Sequence, residues 1–277
     1  MIRSVLAGAT AQLSAFSDSP RLDAELLLGH LLGYGRAQLL THDDESLSES
    51  ALSLYKSLLD RRCLGEPVAY LLGYRDFWKH RFVVGPGVLV PRPETELLVE
   101  HALRWLDGLQ EPRILDLGTG SGAIGLSIAL ALPQAQVTLT DRSLASVEIA
   151  RRNRDALGAT AEILEGFWFE PVGGRNFDLI VSNPPYVAPD DPHLQGLELQ
   201  HEPRTALVAA EDGFADLRQI IGGATAHLLK GGRILLEHGH TQASGVRDLL
   251  GLHGFGSIQS FCDLSGIERA TGGVLGD

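Results

Sequence analysis

Apolar residues recur at helical spacing in the first quarter of the chain. Residues 21–33 and residues 48–62 each place an apolar stripe along one side of a helix, and Gly33 is a typical helix stop. The stripe positions are Leu22, Leu26, Leu27, Leu52, Tyr55, Leu58 and Leu59. Ser48 offers a cap at the start of the second helix. Strand patterns are absent here, so residues 1–75 are predicted to form a small helical bundle.

The pattern changes to aromatic and β-branched residues at 77–84. Gly85-Pro86-Gly87 follows as a turn, and residues 88–90 resume the apolar pattern. We therefore expect residues 76–90 to form a β-hairpin that links two domains. Arg92 then stands between two prolines, just ahead of the next expected helix.

Strand and helix patterns alternate from residue 112 onward. The expected strands lie at 113–117, 136–140, 161–165, 177–182, 232–237 and 257–262. The expected helices lie at 122–132, 143–157, 212–229 and 242–253. This alternation predicts an α/β domain over residues 91–277, with a mostly parallel sheet and helices on both faces.

The composition is ordinary for a globular protein. Of the 277 residues, 44% are hydrophobic and 21% are charged, and no stretch approaches the roughly 20 apolar residues of a membrane span. The first residues lack the pattern of a signal peptide, and two cysteines make no disulfide framework, so we expect a cytoplasmic protein. The net charge of −12 counts against stable nucleic-acid binding, which depends on basic surface.

A glycine-rich loop follows the first expected strand of the α/β domain, where residues 114–122 read Ile-Leu-Asp-Leu-Gly-Thr-Gly-Ser-Gly. Glycines let a backbone turn sharply and approach a ligand closely. Asp141 ends the next strand, 21 residues after Gly120, where a carboxylate suits the two hydroxyls of a ribose. The loop also matches the NAD fingerprint, but Gly118 as first glycine and Asp116 in the strand favour S-adenosylmethionine (SAM). A turn that binds no nucleotide is the remaining alternative.

Asn183-Pro184-Pro185-Tyr186 ends an apolar run over 177–182 that is typical of a buried strand. Proline has no N–H and pushes the preceding residue into an extended conformation, so the strand ladder stops here. The side-chain oxygen of Asn183 and the carbonyl of Pro184 are placed to accept the two hydrogens of a planar –NH2 group, and Tyr186 to pack on its face. This arrangement suits methyl transfer to an amide by positioning and electrostatics, without a catalytic base.

The alternative interpretation of this motif is a plain strand-ending turn, because Asn-Pro commonly starts turns. However, the motif and the glycine loop both leave the carboxyl edge of the expected sheet, where ligands of open α/β folds bind. The two segments together therefore favour a methyltransferase site for planar amino groups.

The sequence resembles class I SAM-dependent methyltransferases at residues 116–124 and 182–186. Further stretches make the resemblance more specific, to the peptide-chain release factor N5-glutamine methyltransferases (the PrmC/HemK family). These stretches are residues 70–78, 90–96, 201–207, 236–240 and 263–269. The resemblance covers essentially the whole chain, including its helical first part.

The resemblance implies a Rossmann-like domain with a seven-stranded sheet and a helical N-terminal domain that docks the substrate. It implies methyl transfer from SAM to the glutamine of the Gly-Gly-Gln motif in class I release factors, which yields N5-methylglutamine and S-adenosylhomocysteine. The implied cofactor residues are Gly118, Thr119, Gly120, Ser121, Gly122, Asp141 at the ribose, Trp168 beside the adenine, and Asn183. The implied substrate residues are Asn183, Pro184, Pro185 and Tyr186.

The chain departs from the family pattern just before Trp168, because Phe167 stands where an acidic residue is usual. A hydrogen bond from that side chain to the adenine amino group is lost, and Glu165 is a candidate substitute. Arg92 is a candidate for the mouth of the site, although a helix start also explains its surroundings. His238 and His240 do not predict a metal site, because two ligands are too few.

Three other functions stay open at this point. The first is a sister enzyme that methylates a glutamine of a ribosomal protein, which the Asn-Pro-Pro-Tyr motif does not separate from the leading interpretation. The second is adenine-N6 methylation of DNA, although this acidic chain has no spare domain to read and flip a base. The third is a non-catalytic SAM-binding module. The predicted partners are class I release factors, with no membrane, no metal and no stable nucleic acid.

Overall fold

The computed structural model describes residues 1–276, and it separates into two units. The helical unit contains Met1–Tyr74 together with Pro192–Glu202, and the sheet unit contains Arg75–Asp191 together with residues 203–276. Residues 192–202 lie inside the predicted catalytic domain, yet they pack with the helical unit. The long connection after the Asn-Pro-Pro-Tyr motif therefore leaves the sheet unit and returns to it.

Helices form the first unit, as the apolar spacing predicts. They are α1 (Ile2–Leu13), α2 (Pro20–Leu32), α3 (Arg36–Thr41), α4 (Glu49–Cys63) and α5 (Val68–Leu72). The helix α2 ends at Gly33, whose φ of +68° is in the left-handed region that glycine adopts freely. The start of α4 is capped by Ser48, whose hydroxyl accepts the Ala51 N–H at 3.2 Å.

The core of the helical unit uses a stripe that differs slightly from the predicted one. Leu27 and Tyr55 are buried, and the Tyr55 hydroxyl donates to the carbonyl of Ala24 at 2.9 Å. Leu22 and Leu52 are exposed, so their assignment to the core was wrong. Both helices contain enough leucines to fit more than one apolar stripe, and tertiary packing determines which stripe is buried.

A buried arginine joins the segment 192–202 to the helices. Arg62 is only 2% exposed, and it forms ion pairs with Asp23 at 2.8 Å and with Glu198. The ring of His201 also hydrogen-bonds the Leu64 carbonyl at 2.9 Å. A buried charge needs paired partners, so this contact depends on both carboxylates.

The predicted linker hairpin exists, but its strands lie earlier in the chain. The strands are β1 (Tyr74–Phe77) and β2 (His80–Val83), and the turn is at Trp78, which has a φ of +55°. The prediction that 85–87 form the hairpin turn and 88–90 the second strand was wrong. Phe77 and Phe82 meet edge to face in the core across the observed turn, which fixes the earlier register.

A seven-stranded sheet organises the second unit, which confirms the predicted fold class. The strands are β3 (Arg113–Leu117), β4 (Gln136–Asp141), β5 (Glu162–Glu165), β6 (Phe177–Ser182), β7 (Leu228–Glu237), β8 (Phe255–Cys262) and β9 (Glu268–Leu275). The helices are α6 (Glu96–Leu106), α7 (Ala123–Ala131), α8 (Leu144–Leu157), α9 (Ala210–Gly213), α10 (Ala215–Ala224) and α11 (Ala243–Leu252). The strand order is β5-β4-β3-β6-β7-β9-β8, and β9 alone runs in the direction opposite to the other six strands. Apolar side chains fill both faces of this sheet.

The order of the strands creates a switch point between β3 and β6. The chain runs from β3 outward to β4 and β5, and then returns to β6 on the other side of β3. Ligands of open α/β sheets bind at the carboxyl edge at such a point. The fold therefore marks the ends of β3 and β6 as the place for a site.

The strand β9 was not among the strands predicted from the pattern. Its middle is Gly272-Gly273, and glycine weakens a strand signal. A Cβ on Gly272 would lie 2.5 Å from both the Ile234 carbonyl and the Trp105 ring. Close packing, which sequence periodicity does not reveal, explains this strand. No helix within residues 1–276 has the length and apolar character needed to cross a membrane.

Candidate active site

The two sequence motifs meet at the carboxyl edge of neighbouring strands. In the parallel pairing of β3 with β6, Leu117 lies opposite Ser182. The Ser182 hydroxyl donates to the Leu117 carbonyl at 2.7 Å, which ties the two strand ends together. Gly118 and Asn183 are the next residues along each strand, so the glycine loop and the Asn-Pro-Pro-Tyr motif begin side by side.

The glycine loop adopts a backbone that requires its glycines. Gly118, Gly120 and Gly122 have φ values of +67°, +57° and +85°. The loop is held from beneath by Asp116, which accepts hydrogen bonds from the Thr119 hydroxyl and from a backbone N–H of α7. Burial raises the pKa of Asp116 to about 6, and these two hydrogen bonds oppose the rise.

Asp141, at the end of β4, faces the same loop. Its carboxylate accepts the Gly120 N–H at 2.9 Å and the Ser143 N–H at 2.8 Å. Burial raises the pKa of Asp141, and these backbone hydrogen bonds counteract the rise. A carboxylate offers about four lone-pair sites. Asp141 therefore fixes the loop and keeps acceptor capacity for a ligand.

A cavity, here called the edge cavity, lies over these strand ends and contains about 690 Å³ of space free of protein atoms, part of it open to solvent. Its lining includes five of the predicted cofactor residues: Gly118, Gly120, Asp141, Trp168 and Asn183. Thr119, Ser121 and Gly122 do not line it; they shape the loop behind it.

The space in front of Gly120 fits a ligand. A Cβ on Gly120 would meet no protein atom within 4 Å, and the residue lines the edge cavity. Trp168 contributes a buried indole N–H that has no hydrogen-bond partner within the described part of the chain. An open cradle beside the Asp141 carboxylate suits a nucleoside-containing ligand such as SAM.

The far wall of the edge cavity contains groups that sequence reasoning missed. Arg142 lies over the Phe167 ring, with its guanidinium carbon 5.8 Å from the ring centroid. Asp216, from the first turn of α10, also lines the cavity, and burial raises the pKa of its carboxyl while Arg142 opposes the rise. Glu165, the substitute considered for Phe167, is exposed and does not line the cavity. No motif in the sequence indicated Asp216.

Asn183 presents one end of its amide to the protein. Its –NH2 group donates to the hydroxyl of Thr95 at 3.1 Å. Pro185 lines the edge cavity with Asn183, whereas Pro184 is buried beside it. Within residues 1–276, the oxygen of the Asn183 side chain has no hydrogen-bond partner and therefore remains an acceptor for a ligand.

Tyr186 and Arg92 lie outside the lining of the edge cavity. The phenol of Tyr186 donates to Glu237 at 3.1 Å. Burial raises the pKa of this phenol, which keeps its hydrogen in place, and Arg92 is near enough for its charge to oppose the rise. The predicted substrate residues thus share one region, but only Asn183 and Pro185 border the cavity itself.

Thr95 and Glu237 are further candidates for functional residues, and the sequence analysis assigned no role to either. Both are buried polar residues, and both contact the Asn-Pro-Pro-Tyr motif. They fall within the stretches 90–96 and 236–240 that carry the family resemblance. Their presence in those stretches was the available signal.

Metal ligands do not cluster among residues 1–276. The ring of His238 is fully buried, and its two nitrogens bond the Gly239 carbonyl at 2.9 Å and the Thr271 hydroxyl at 2.8 Å. This histidine is therefore committed to structural hydrogen bonds.

Two family models match separate parts of the chain, and relatives match almost all of it. A model described as the PrmC N-terminal domain matches residues 4–73, and one described as the methyltransferase small domain matches residues 93–200. A protein of Bordetella pertussis named release factor glutamine methyltransferase is 50% identical over 257 residues, covering 92% of this chain and 95% of its own length. A protein of Escherichia coli with the same name is 44% identical over 264 residues, covering 95% of each chain.

Solved structures share the fold at lower identity. A methyltransferase from Pyrococcus furiosus has a TM-score of 0.53 at 19% identity, covering 71% of this chain and 89% of its own. The T. thermophilus 16S rRNA N2 G1207 methyltransferase, solved with AdoMet and guanosine, has a TM-score of 0.55 at 22% identity, covering 73% of this chain and 49% of its own. At these identities the similarity concerns the fold alone.

Proposed function

The chain belongs to the release factor glutamine methyltransferase family, and from this premise we propose that it methylates the glutamine of the Gly-Gly-Gln motif in class I release factors. The product is N5-methylglutamine. The protein is a SAM-dependent protein-glutamine methyltransferase. The site residues and their roles below are part of this proposal.

One observation carries the assignment of the site: the register that puts Leu117 opposite Ser182. It brings the glycine loop and Asn183 to the same point of the sheet edge. A methyl donor held on the loop and an amide held on the motif are then neighbours, as methyl transfer requires.

The edge cavity holds SAM, which supplies a methyl group on a positively charged sulfur. Asp141 accepts the ribose hydroxyls, and Gly118 and Gly120 allow the close approach that a side chain would block. Phe167 and Trp168 provide the aromatic wall at the adenine end. The Asp216 carboxylate accepts a hydrogen bond from the adenine amino group. It thereby takes the role of the acidic residue that is usual at position 167, where this chain has Phe167.

The Asn-Pro-Pro-Tyr motif orients the acceptor. The Asn183 side-chain oxygen and the Pro184 carbonyl each accept one hydrogen of the glutamine –NH2 group. This fixes the nitrogen and stabilises the positive charge that develops on it as the N–C bond forms and the S–C bond of SAM breaks; the nitrogen then loses one hydrogen as a proton to solvent. The amide lone pair is delocalised, so positioning and electrostatics replace deprotonation by a side chain.

A panel of acceptors tests this function. The protein is incubated with labelled SAM and, separately, with unmodified release factor, ribosomal proteins and unmethylated DNA. Label is expected in the release factor. Label in ribosomal proteins alone would reassign the enzyme to the sister activity, and label in DNA alone would refute the proposal.

A further inference from the structure

The side chain of Gln242 joins the last residue of the Asn-Pro-Pro-Tyr motif to two neighbouring segments. Its Nε2 donates to the carbonyl of Tyr186 at 3.0 Å and to the carbonyl of Asp212 at 3.3 Å. Its Oε1 accepts the N–H of Gly239 at 2.8 Å. Gln242 is only 6% exposed, so its amide makes these hydrogen bonds inside the protein, where bulk water does not compete for them.

The partners of this amide fix its orientation. A backbone carbonyl only accepts and a backbone N–H only donates, so a reversed amide would face each partner with the wrong group. The backbone of Gln242 is held as well, because its N–H donates to the Gly239 carbonyl at 3.0 Å and its carbonyl accepts the Val246 N–H of α11 at 3.0 Å. Gln242 is therefore a rigid support at the start of α11.

Tyr186 is held at both of its ends. Its phenol donates to Glu237 at 3.1 Å, and its carbonyl accepts from Gln242. The ring also borders Gly239, where a Cβ would lie 3.6 Å from it. Pro185, the preceding residue, lines the edge cavity. A shift of the Tyr186 carbonyl would therefore move the part of the motif that borders the site.

A strained turn lies against the same carbonyl. Glu211 and Asp212 both have a φ of +54°, and Gly213 follows with a φ of +86°. A Cβ on Gly213 would collide with the Tyr186 carbonyl. Residues other than glycine rarely adopt such a backbone, which persists only where the surrounding contacts hold it and which is common at functional sites. The hydrogen bond from Gln242 to the Asp212 carbonyl is one contact that holds it.

We propose that Gln242 is a positioning residue for methyl transfer, which holds the Tyr186 end of the Asn-Pro-Pro-Tyr motif in place through the Tyr186 carbonyl. The inference rests on the proposed function, because it takes this motif as the place where the substrate glutamine binds. Gln242 does not line the edge cavity, so its effect falls on the acceptor and not on SAM.

The test is the variant Gln242→Glu in the full-length chain. A carboxyl group of the same size donates at most one hydrogen, and none when it is ionised, so at least one of the two carbonyls loses its partner. Steady-state kinetics on unmodified class I release factor should show kcat/KM for the release factor lowered about 10- to 100-fold, because the acceptor is misplaced. The Kd for SAM, measured by titration calorimetry, should stay unchanged.

Asn153→Asp is the matched control. Asn153 is 1% exposed and has the same bonding pattern, since its Nδ2 donates to the carbonyls of Val83 and Ser121 at 3.0 and 2.8 Å and its Oδ1 accepts the Val83 N–H at 2.7 Å. Ser121 belongs to the glycine loop, so this variant should raise the Kd for SAM about 10-fold, the effect of losing one such hydrogen bond. The same chemical change thus affects the cofactor at one position and the acceptor at the other.

The two variants separate positioning from general loss of structure, which would weaken SAM binding together with turnover. Wild-type kcat/KM in Gln242→Glu, or a loss of SAM affinity equal to that of Asn153→Asp, would overturn the proposal. If Gln242→Glu does not fold by circular dichroism, Gln242→Met, which removes the amide at similar size, is held to the same criteria. A wild-type chain without activity on release factor would instead refute the proposed function, and this inference with it.

Discussion

Replacing Gly120 with alanine separates the ligand-binding role of the glycine loop from its backbone conformation. Gly120 has a φ of +57°, and a Cβ there meets no protein atom within 4 Å. The left-handed backbone costs an L-residue about 1–2 kcal/mol, so Gly120→Ala should lower the free energy of unfolding by about that amount. The same Cβ occupies space in the edge cavity, and overpacking costs about 1–3 kcal/mol. The Kd for SAM should therefore rise about 5- to 150-fold.

Gly158→Ala is the matched control. Gly158 ends α8 with a φ of +67°, its Cβ would also meet no atom within 4 Å, and it does not line the edge cavity. Urea unfolding and titration calorimetry with SAM measure both quantities for each variant. Similar losses of stability are expected, with loss of affinity in Gly120→Ala only. Unchanged affinity for SAM in Gly120→Ala, or an equal loss of affinity in Gly158→Ala, would refute the proposal that SAM lies against Gly120.

Three further predictions follow from single contacts. Asn183→Ala should lower kcat about 100- to 1,000-fold with little change in the Kd for SAM, and full activity in this variant would contradict the amide clamp. Asp216→Asn should weaken binding of S-adenosylhomocysteine more than that of its hypoxanthine analogue in calorimetry; equal weakening would place Asp216 away from the adenine amino group. Arg62→Ala should destabilise the chain by about 3–5 kcal/mol in urea, because it leaves the buried Asp23 carboxylate without its cationic partner, whereas exposed Arg81→Ala should change stability by less than about 1 kcal/mol. A small loss of stability in Arg62→Ala would contradict the conclusion that Arg62 stabilises the chain by pairing with the buried Asp23.

The α/β alternation was sufficient to predict the sheet and its carboxyl edge. Strands such as β3 and β6 are apolar runs that end in turn-forming residues, and in a parallel sheet their carboxyl ends share one edge. The strand order, which the pattern does not give, makes these two strands neighbours. The hairpin register and β9 were not predictable in the same way. Both depend on tertiary packing, of Phe77 on Phe82 and of Gly272 against Trp105, which local pattern does not encode.

The residues of the candidate site also fall into those that the sequence predicted and those that it did not. Gly118, Asp141 and Asn183 stand in motifs, and the structure brings all three to one cavity. Asp216 and Glu237 reach the site from α10 and β7, distant in sequence, and their roles depend on burial and on which group they face. Motifs therefore indicated the residues at the ends of β3, β4 and β6, whereas Asp216 and Glu237 could be recognised only from the structure.

In the proposed reaction, one glutamine amide nitrogen accepts the methyl group. The most direct measurement is tandem mass spectrometry of a class I release factor after incubation with SAM and either the wild-type chain or Asn183→Ala. With the wild-type chain we expect a single methyl group on the side-chain nitrogen of the Gly-Gly-Gln glutamine, and with the variant we expect none. A methyl group on any other residue, or an equal yield from Asn183→Ala, would contradict it.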